Sequence, residues 1–287
     1  MTTFVEGSGG LRIACDIGGP EHGPGVVLVH GGGQTRHSWD RTWARLVEDG
    51  WRAASVDLRG HGESDWSAEG DYSLDAFAED LLSVAAGFDR PPVLVGASLG
   101  GLASMVAIAD GLGPQTARAG AVVLVDVAHR LEEAGQGRIG DFMQAAPDGF
   151  ASLDDVADAV AAYNPHRPRP SDLSGLAKNL RRRDDGRWVW HWDPAFISRG
   201  SRGRGGGSAL TDPDRLTRTA QKLEIPTLLV RGRSSDLLSE EGAQEFLALV
   251  PHAEYADVVG AGHMVAGDRN EVFNAAILAF LARHRPG

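Results

Sequence analysis

Residues 94–103 read LVGASLGGLA, and they place one serine among three glycines where a run of strand-forming aliphatic residues ends. Glycine costs roughly 1 kcal/mol relative to alanine inside a helix and also weakens a strand, so this arrangement needs a reason. The spacing of Gly96, Ser98 and Gly100 matches the pattern G-x-S-x-G, which carries a serine on a sharp turn between a strand and a helix. The stretch therefore predicts an outward-pointing hydroxyl at Ser98, close to the positive N-terminal end of a helix.

Short aliphatic runs recur on both sides of this stretch, and helix-like segments separate them. Unbroken apolar runs of about five residues are typical of strands in a sheet that is covered on both faces. Their alternation with amphipathic helices favours a doubly wound α/β domain on a mostly parallel sheet, with its chemistry at the carboxyl ends of the strands. The predicted strands are residues 26–30, 52–57, 92–96, 121–126, 226–230 and 253–259, and the predicted helices are residues 39–48, 73–86, 101–110, 239–250 and 271–283.

This alternation of strands and helices fails between residues 127 and 216. The region has helix-like segments at residues 153–162 and 173–181, but it has no strong aliphatic run that would predict a strand. We therefore expect residues 1–126 and 217–287 to form the α/β core. Residues 127–216 are expected to be an insertion between two strands, folded as a largely helical cap over the strand ends.

The composition is typical of a globular protein and argues against one class of partner. Of the 287 residues, 42% are hydrophobic, and 28 basic against 39 acidic groups give a net charge of −11. A nucleic-acid-binding surface needs concentrated positive charge, so we expect no nucleic-acid partner. The oligomeric state is left open.

The sequence also lacks the common signs of membrane association and metal binding. No run reaches 18 apolar residues, there is no secretory leader pattern, and the single cysteine, Cys15, cannot form an internal disulfide. We therefore expect a cytoplasmic protein without a membrane anchor. Zinc-type Cys/His spacings and a phosphate loop ending in G-K-[ST] are absent, so we expect no metal and no cofactor.

Two residues near other strand ends would activate the serine. A serine hydroxyl is a poor nucleophile until a positioned base removes its proton, and histidine titrates in the useful range. Among the ten histidines, His263 follows a probable strand on a glycine-flanked loop late in the chain. The acid that orients it is either Asp236, in the loop after the strand at residues 226–230, or Asp126, which ends the preceding strand. We favour Asp236, although a triad is defined by geometry and both could reach the histidine.

The chain order Ser98, Asp236, His263 resembles that of the α/β-hydrolase family. Residues 57–64, DLRGHGES, are similar to the family signature D-x-R-G-x-G-x-S, and residues 30–33, HGGG, resemble its oxyanion loop. The resemblance covers nearly the whole chain outside the insertion. It implies a nucleophile at Ser98, a base at His263 and an acid at Asp236.

The resemblance also implies an oxyanion hole made by the N–H of Leu99 and one N–H from the loop at residues 30–39. That loop, HGGGQTRHSW, looks like the H-G-x-P-x-x-x-H-S-W loop of the cofactor-free haloperoxidase and esterase branch, a register that makes Gly32 the donor. Here Gly33 stands where that branch has proline, and the family's H-G-G-G loop type would allow Gly33 as the donor instead. Loss of one such donor costs about 2.7 to 4 kcal/mol of transition-state stabilisation.

Five aromatic side chains are candidates for the wall of a substrate pocket. Trp188, Trp190 and Trp192 alternate along the insertion, so an extended segment would place the three indoles on one face. That face would either pack the insertion onto the core or form an apolar wall for the substrate. His37 and Trp39 follow the predicted oxyanion loop and could line the same cleft.

These features predict a serine hydrolase that cleaves a small-molecule carboxylic ester or lactone through an acyl-enzyme on Ser98. Epoxide hydrolases and haloalkane dehalogenases carry aspartate at this turn, so the serine argues against both activities. A cofactor-free perhydrolase or haloperoxidase, or a C–C bond hydrolase, with the same triad remains an alternative. A ligand-binding or sensory protein of this fold with little turnover is the alternative from another class.

Overall fold

The computed structural model of the chain describes residues 2–109, 119–163, 169, 173–200, 210–264 and 270–286. The strands are β1 (Thr2–Glu6), β2 (Arg12–Gly18), β3 (Gly25–Val29), β4 (Arg52–Val56), β5 (Val93–Ala97), β6 (Ala121–Val125), β7 (Leu180–Arg182), β8 (Trp188–Trp190), β9 (Thr227–Gly232) and β10 (Glu254–Val258). The helices are α1 (Asp40–Glu48), α2 (Leu74–Ala85), α3 (Leu99–Ala109), α4 (Glu133–Gln144), α5 (Leu153–Tyr163), α6 (Ser174–Ala177), α7 (Pro194–Gly200), α8 (Pro213–Gln221), α9 (Glu240–Leu249) and α10 (Asn274–Arg283). Short 3-10 turns lie at Ser8–Gly10, Arg36–Trp39 and Asn270–Phe273.

Eight of the strands form one sheet in the order β1-β2-β4-β3-β5-β6-β9-β10. From β4 to β10 the neighbouring strands pair in parallel, whereas β1 and β2 add an antiparallel edge. The predicted mostly parallel sheet is confirmed, and each of the six predicted strands is present. The two antiparallel strands β1 and β2 were not predicted because a search for aliphatic runs finds strands that are buried on both faces, and both are partly exposed.

Helices cover both faces of the sheet, which is why its central strands are continuous apolar runs. Along β3, Val26 and Leu28 face one core cluster, and Val27 and Val29 face the other. The first cluster includes residues of α1 and α10, and the second includes residues of α2, α3, α8 and α9. The alternation follows directly from the two-residue period of a strand.

Between β6 and α8 the chain leaves the sheet, as the failure of the strand–helix alternation predicted. This region forms α4 to α7 and a two-stranded antiparallel sheet in which Leu180 pairs with Trp190. The predicted helix at residues 173–181 is wrong beyond Ala177, because residues 180–182 pair with β8 instead. The predicted boundary at residue 216 lies inside α8, which packs against α3 and α9. No helix in the described part of the chain is long and apolar enough to span a membrane.

Candidate active site

Ser98 lies on the turn between β5 and α3 with a positive φ of 47°. That region is strained for a residue with a side chain, at a cost of order 1–3 kcal/mol. The backbone holds the turn: the Ser98 N–H donates to the carbonyl of Val125 at 3.0 Å, and the Ser98 carbonyl accepts from Leu102 at 3.1 Å. Within residues 92–107 every residue is buried except Ser98, which is partly exposed. The turn therefore presents one hydroxyl at the surface of an otherwise closed core.

The glycines on either side of Ser98 are required by the close approach of other backbone atoms. A Cβ atom on Gly96 would lie 2.4 Å from the carbonyl oxygen of Gly100. A Cβ atom on Gly100 would lie 2.6 Å from the carbonyl oxygen of His30 and 2.7 Å from that of Val29. The G-x-S-x-G spacing therefore lets α3 begin directly against β5 and the loop that follows β3.

The hydrogen-bond partner of His263 is Asp126. Nδ1 of His263 lies 2.8 Å from Oδ2 of Asp126, and both side chains are buried. The same carboxylate accepts a hydrogen bond from the N–H of Gly232 at 3.0 Å and one from the hydroxyl of Ser235 at 2.7 Å. Because a carboxylate only accepts, Nδ1 carries the proton and leaves a lone pair on Nε2. Three donors thus converge on the carboxylate of Asp126.

The prediction that Asp236 orients the histidine is wrong for this structure. The turn after β9 directs Ser235 towards Asp126, because the Ser235 N–H donates to the carbonyl of Gly232 at 2.9 Å. The next side chain, Asp236, points away and forms an ion pair with Arg138 on α4. Asp126, the alternative left open by the sequence, holds the histidine instead.

Ser98 and the Asp126–His263 pair lie at the same edge of the sheet. Ala97 pairs with Val125 at the ends of the parallel neighbours β5 and β6, and Ser98 and Asp126 are the next residues. In the described part of the chain, neither Nε2 of His263 nor Oγ of Ser98 forms a hydrogen bond. Neither atom is thus occupied by another described group.

The loop after β3 contributes a second free group, the N–H of Gly32. The N–H of Gly31 donates to Oε1 of Gln34 at 3.1 Å, and that of Gly33 donates to Nε2 of His61 at 3.1 Å. Among the described residues, the N–H groups of Gly32 and Leu99 have no partner. A Cβ atom on Gly32 would lie 3.9 Å from Cδ2 of Leu99, so the two residues are neighbours. The geometry favours Gly32 over Gly33 as the partner of Leu99.

Comparison with known proteins identifies the family of this chain. Residues 26–276 match the model of the alpha/beta hydrolase family. The chain belongs to this family. It is 33% identical over 258 residues to the esterase Rv0045c of Mycobacterium tuberculosis, a match that covers 86% of this chain and 78% of that protein.

Two more distant similarities extend over most of the hydrolase chain. It is 27% identical over 254 residues to a 3-hydroxybutyrate-oligomer hydrolase of Cupriavidus necator, covering 86% of this chain and 84% of that one. The crystal structure of E-2-(acetamidomethylene)succinate hydrolase matches with a TM-score of 0.83 at 24% identity, over 98% of this chain and 99% of that chain, which shows the fold. The family and the esterase relative support a hydrolytic enzyme of the α/β-hydrolase fold.

Three apolar side chains of this α/β hydrolase approach the glycine loop, Gly31 to Gly33, from the region between β6 and α8. A Cβ atom on Gly32 would lie 3.7 Å from Cζ of Phe196. A Cβ atom on Gly33 would lie 3.2 Å from Cε of Met143 and 3.3 Å from Cζ3 of Trp192. Sequence reasoning missed Phe196 and Met143. Phe196 was visible only as part of the aromatic segment at residues 187–196, and Met143 lies on a helix without a strong sequence signal.

Of the five predicted pocket residues, Trp192 is the one that the described contacts bring to the glycine loop. Trp192 stacks on Trp190 with ring centroids 4.8 Å apart, and the ring of Trp188 faces a guanidinium group instead. Trp39 is fully buried in the core cluster that contains α1 and α10, so its expected place in the cleft is wrong. The partly exposed imidazole of His37 lies 3.1 Å from a carboxylate oxygen of Asp40 at the start of α1.

Three buried histidines lie behind the glycine loop. Burial lowers the pKa of His30 to about 4 and the pKa of His61 to about 3, and it lowers the pKa of His191 well below its usual value. All three are therefore neutral at pH 7. Among the described residues, no group of three or more histidine, cysteine or acidic side chains is arranged to hold a metal ion.

Proposed function

We propose that this α/β hydrolase is a serine hydrolase that cleaves a carboxylic ester or lactone of modest size through an acyl-enzyme on Ser98. The observation that carries the proposal is the hydrogen bond from His263 to Asp126, one strand away from Ser98 at the same sheet edge. A nucleophile, a base and an acid that orients the base are the three roles that such a reaction needs. The similarity to an esterase supports the same class of bond.

In this proposal His263 acts through Nε2, because its Nδ1–H is held by Asp126. Nε2 takes the proton of the Ser98 hydroxyl as Oγ attacks the carbonyl carbon. The N–H groups of Gly32 and Leu99 bind the oxygen that becomes negative in the tetrahedral intermediate. Nε2 then gives its proton to the leaving alcohol, and the acyl-enzyme remains.

Water completes the reaction by the same groups in the same roles. His263 removes a proton from a water molecule, which attacks the acyl carbon, and the proton is then returned to Oγ of Ser98 as the acid leaves. Asp126 stays ionised throughout and stabilises the imidazolium each time it forms. Its three hydrogen-bond donors support that role, because they fix both carboxylate oxygens in place beside the imidazole.

The neighbours of the glycine loop support an apolar group of modest size on the substrate. Phe196, Met143 and Trp192 present two rings and a thioether beside Gly32 and Gly33. Apolar and aromatic side chains line most small-molecule sites, with a few polar groups that orient the reacting bond. An ester with a short acyl chain fits that chemistry better than a charged substrate does.

The test uses p-nitrophenyl acetate and butyrate with the wild-type enzyme, Ser98→Ala and the matched control Ser83→Ala. Ser83 lies on α2, and its hydroxyl forms no hydrogen bond with a described residue. Ser98→Ala should lower kcat by about 10³-fold or more, and the control should not change it. A fluorophosphonate should label the wild type at Ser98.

Three outcomes would contradict the proposal. Absence of turnover on an ester panel, together with absence of the Ser98 label, would favour a ligand-binding protein of this fold. If Ser98→Ala kept the wild-type kcat, the nucleophile would be a different residue. Peroxide-dependent bromination that exceeds ester hydrolysis would favour a perhydrolase with the same residues.

A further inference from the structure

Two histidine side chains hold both backbone groups of Gly33. Its N–H donates to Nε2 of His61 at 3.1 Å, and its carbonyl accepts from Nε2 of His191 at 3.3 Å. Gly33 has a positive φ of 77° and directly follows Gly32, the proposed oxyanion donor. The two rings are neighbours, with centroids 5.6 Å apart.

The direction of each hydrogen bond follows from the second nitrogen of each ring. Nδ1 of His61 lies 3.0 Å from the carbonyl of Arg59, so it carries the proton and Nε2 accepts from Gly33. Nδ1 of His191 accepts from the N–H of Gly62 at 2.7 Å, so Nε2 carries the proton and donates to Gly33. Burial keeps both rings neutral, which is the state that allows each to donate once and accept once.

His191 comes from the region between β6 and α8, and its segment is attached to the core at other points. The N–H of Asp193 donates to the carbonyl of Gly60 at 2.8 Å, and the hydroxyl of Tyr72 donates to the carboxylate of Asp193. Arg181 donates to the carbonyl of Gly62 at 2.8 Å. These bonds dock the segment on the loop that follows β4, but His191 also reaches the loop that follows β3.

Three consecutive glycines give the loop at Gly31 to Gly33 little stiffness of its own, because glycine restricts φ and ψ less than any other residue. A hydrogen bond from the N–H of Gln34 to the carbonyl of Gly31 at 3.0 Å closes this turn, and side-chain bonds hold it at both ends. Gln34 holds the start of the loop through the N–H of Gly31, and the two histidines hold its end through Gly33. The N–H of Gly32 lies between these two fixed points.

We propose that His191 is a positioning residue for the oxyanion hole: its Nε2–H holds the carbonyl of Gly33 and thereby aims the N–H of Gly32 at the substrate oxygen. This inference rests on the proposed function. His191 is 2% exposed and both of its ring nitrogens are bonded to backbone groups, so it takes no part in proton transfer. Its effect is confined to the transition state, where the oxygen becomes negative, and KM is left unchanged.

Two conservative variants separate the bonds of the ring. His191→Asn places an amide oxygen near the position of Nδ1, keeps an acceptor for Gly62 and is too short to reach Gly33. His191→Gln places its amide N–H near the position of Nε2 and keeps a donor for Gly33. Arg181→Gln is the matched control, because Arg181 anchors the same segment to the carbonyl of Gly62 without contacting Gly33.

The experiment measures kcat and KM for p-nitrophenyl butyrate. It also measures the inhibition constant of a trifluoromethyl ketone that carries the same alkyl chain as the butyrate group. This ketone forms a tetrahedral adduct with the serine and so reports oxyanion binding directly. His191→Asn should lower kcat on the order of tenfold, less than the 10²–10³ that removal of a donor costs, with KM within about twofold. The inhibition constant should rise by the same factor. His191→Gln and Arg181→Gln should keep values near those of the wild type.

Equal losses in His191→Asn, His191→Gln and Arg181→Gln would overturn the inference, because they would indicate a general role in docking the segment. Wild-type values in His191→Asn would overturn it as well. Either result would leave the proposed function intact. That function would fail separately if the wild-type enzyme hydrolysed no ester and did not bind the ketone.

Discussion

Ser98 and Asp126 occupy equivalent positions at the ends of neighbouring parallel strands. Ala97 pairs with Val125, and the next residue on each strand turns away with a positive φ, 47° at Ser98 and 53° at Asp126. The N–H of Ser98 donates to the carbonyl of Val125, which joins the two turns. The carboxylate that binds His263 is therefore built into the same edge of the sheet as the serine.

Asp126→Asn should lower kcat by about 10⁴-fold, and Asp236→Asn should leave it nearly unchanged. An asparagine amide at residue 126 can donate to Nδ1 and so stabilise the wrong tautomer of His263. Asp236 contacts Arg138 instead, so its loss removes an ion pair without reaching the histidine. The measurement is kcat on p-nitrophenyl butyrate, with thermal unfolding to show that both variants fold. A severe loss in Asp236→Asn alone would contradict the assignment of the acid.

Ser235→Ala should lower kcat by roughly tenfold, because it removes the hydroxyl that donates to Asp126 at 2.7 Å. The same oxygen also accepts from the N–H of Leu237 at 3.1 Å, so the free energy of unfolding should fall by about 1 kcal/mol as well. Ser234→Ala is the control, since that neighbouring serine is exposed. Identical kinetics in the two alanine variants would show that the hydroxyl of Ser235 does not support the carboxylate.

Gly100→Ala should destabilise the protein by several kcal/mol, whereas Gly137→Ala should stabilise it by about 0.5–1 kcal/mol. The new methyl group at residue 100 would lie 2.6 Å from the carbonyl oxygen of His30, which is backbone and cannot move alone. Gly137 lies on α4 with open space around its missing side chain. Urea unfolding of both variants gives the comparison. Equal stability of the two would mean that α3 can shift away from the loop after β3.

His30→Gln should make the stability less dependent on pH between about 7 and 4. Burial lowers the pKa of His30 from 6.5 to about 4, so the unfolded chain binds its proton first as the pH falls. The stability from the neutral ring is complete above pH 6.5 and is lost as the pH falls towards 4, a change on the order of 3 kcal/mol. The measurement is the difference in free energy of unfolding between wild type and variant at each pH.

His22→Gln is the control for that measurement, because the pKa of His22 is shifted in the opposite direction from that of His30. Asp89 beside the exposed ring raises the pKa of His22, so any stability from this pair is present at low pH and is lost as the pH rises. A wild-type curve that runs parallel to that of His30→Gln from pH 7 to 4 would refute the prediction.

Six of the strands, and the turn at Ser98, could be predicted from the sequence because their signals are local. Aliphatic runs mark β3, β5, β6 and β9, which are buried along their whole length, and weaker runs mark β4 and β10. The glycines at residues 96 and 100 mark a close backbone approach through the G-x-S-x-G pattern. The antiparallel strands β1 and β2 and the pairing of β7 with β8 were not predicted, because they depend on a partner strand rather than on their own composition.

The amino-acid sequence by itself determined the family, the sheet and the candidate nucleophile and base, because each rests on residues close together in the chain. It favoured Asp236 as the acid and left Asp126 open as the alternative, since each follows a strand and could reach His263. Only the tertiary structure decided between them: the turn from Gly232 to Ser235 faces Asp126 and sends Asp236 towards α4. The tertiary structure also decided between Gly32 and Gly33 as the donor. His61, which is distant in sequence, accepts a hydrogen bond from the N–H of Gly33, so the free N–H is that of Gly32.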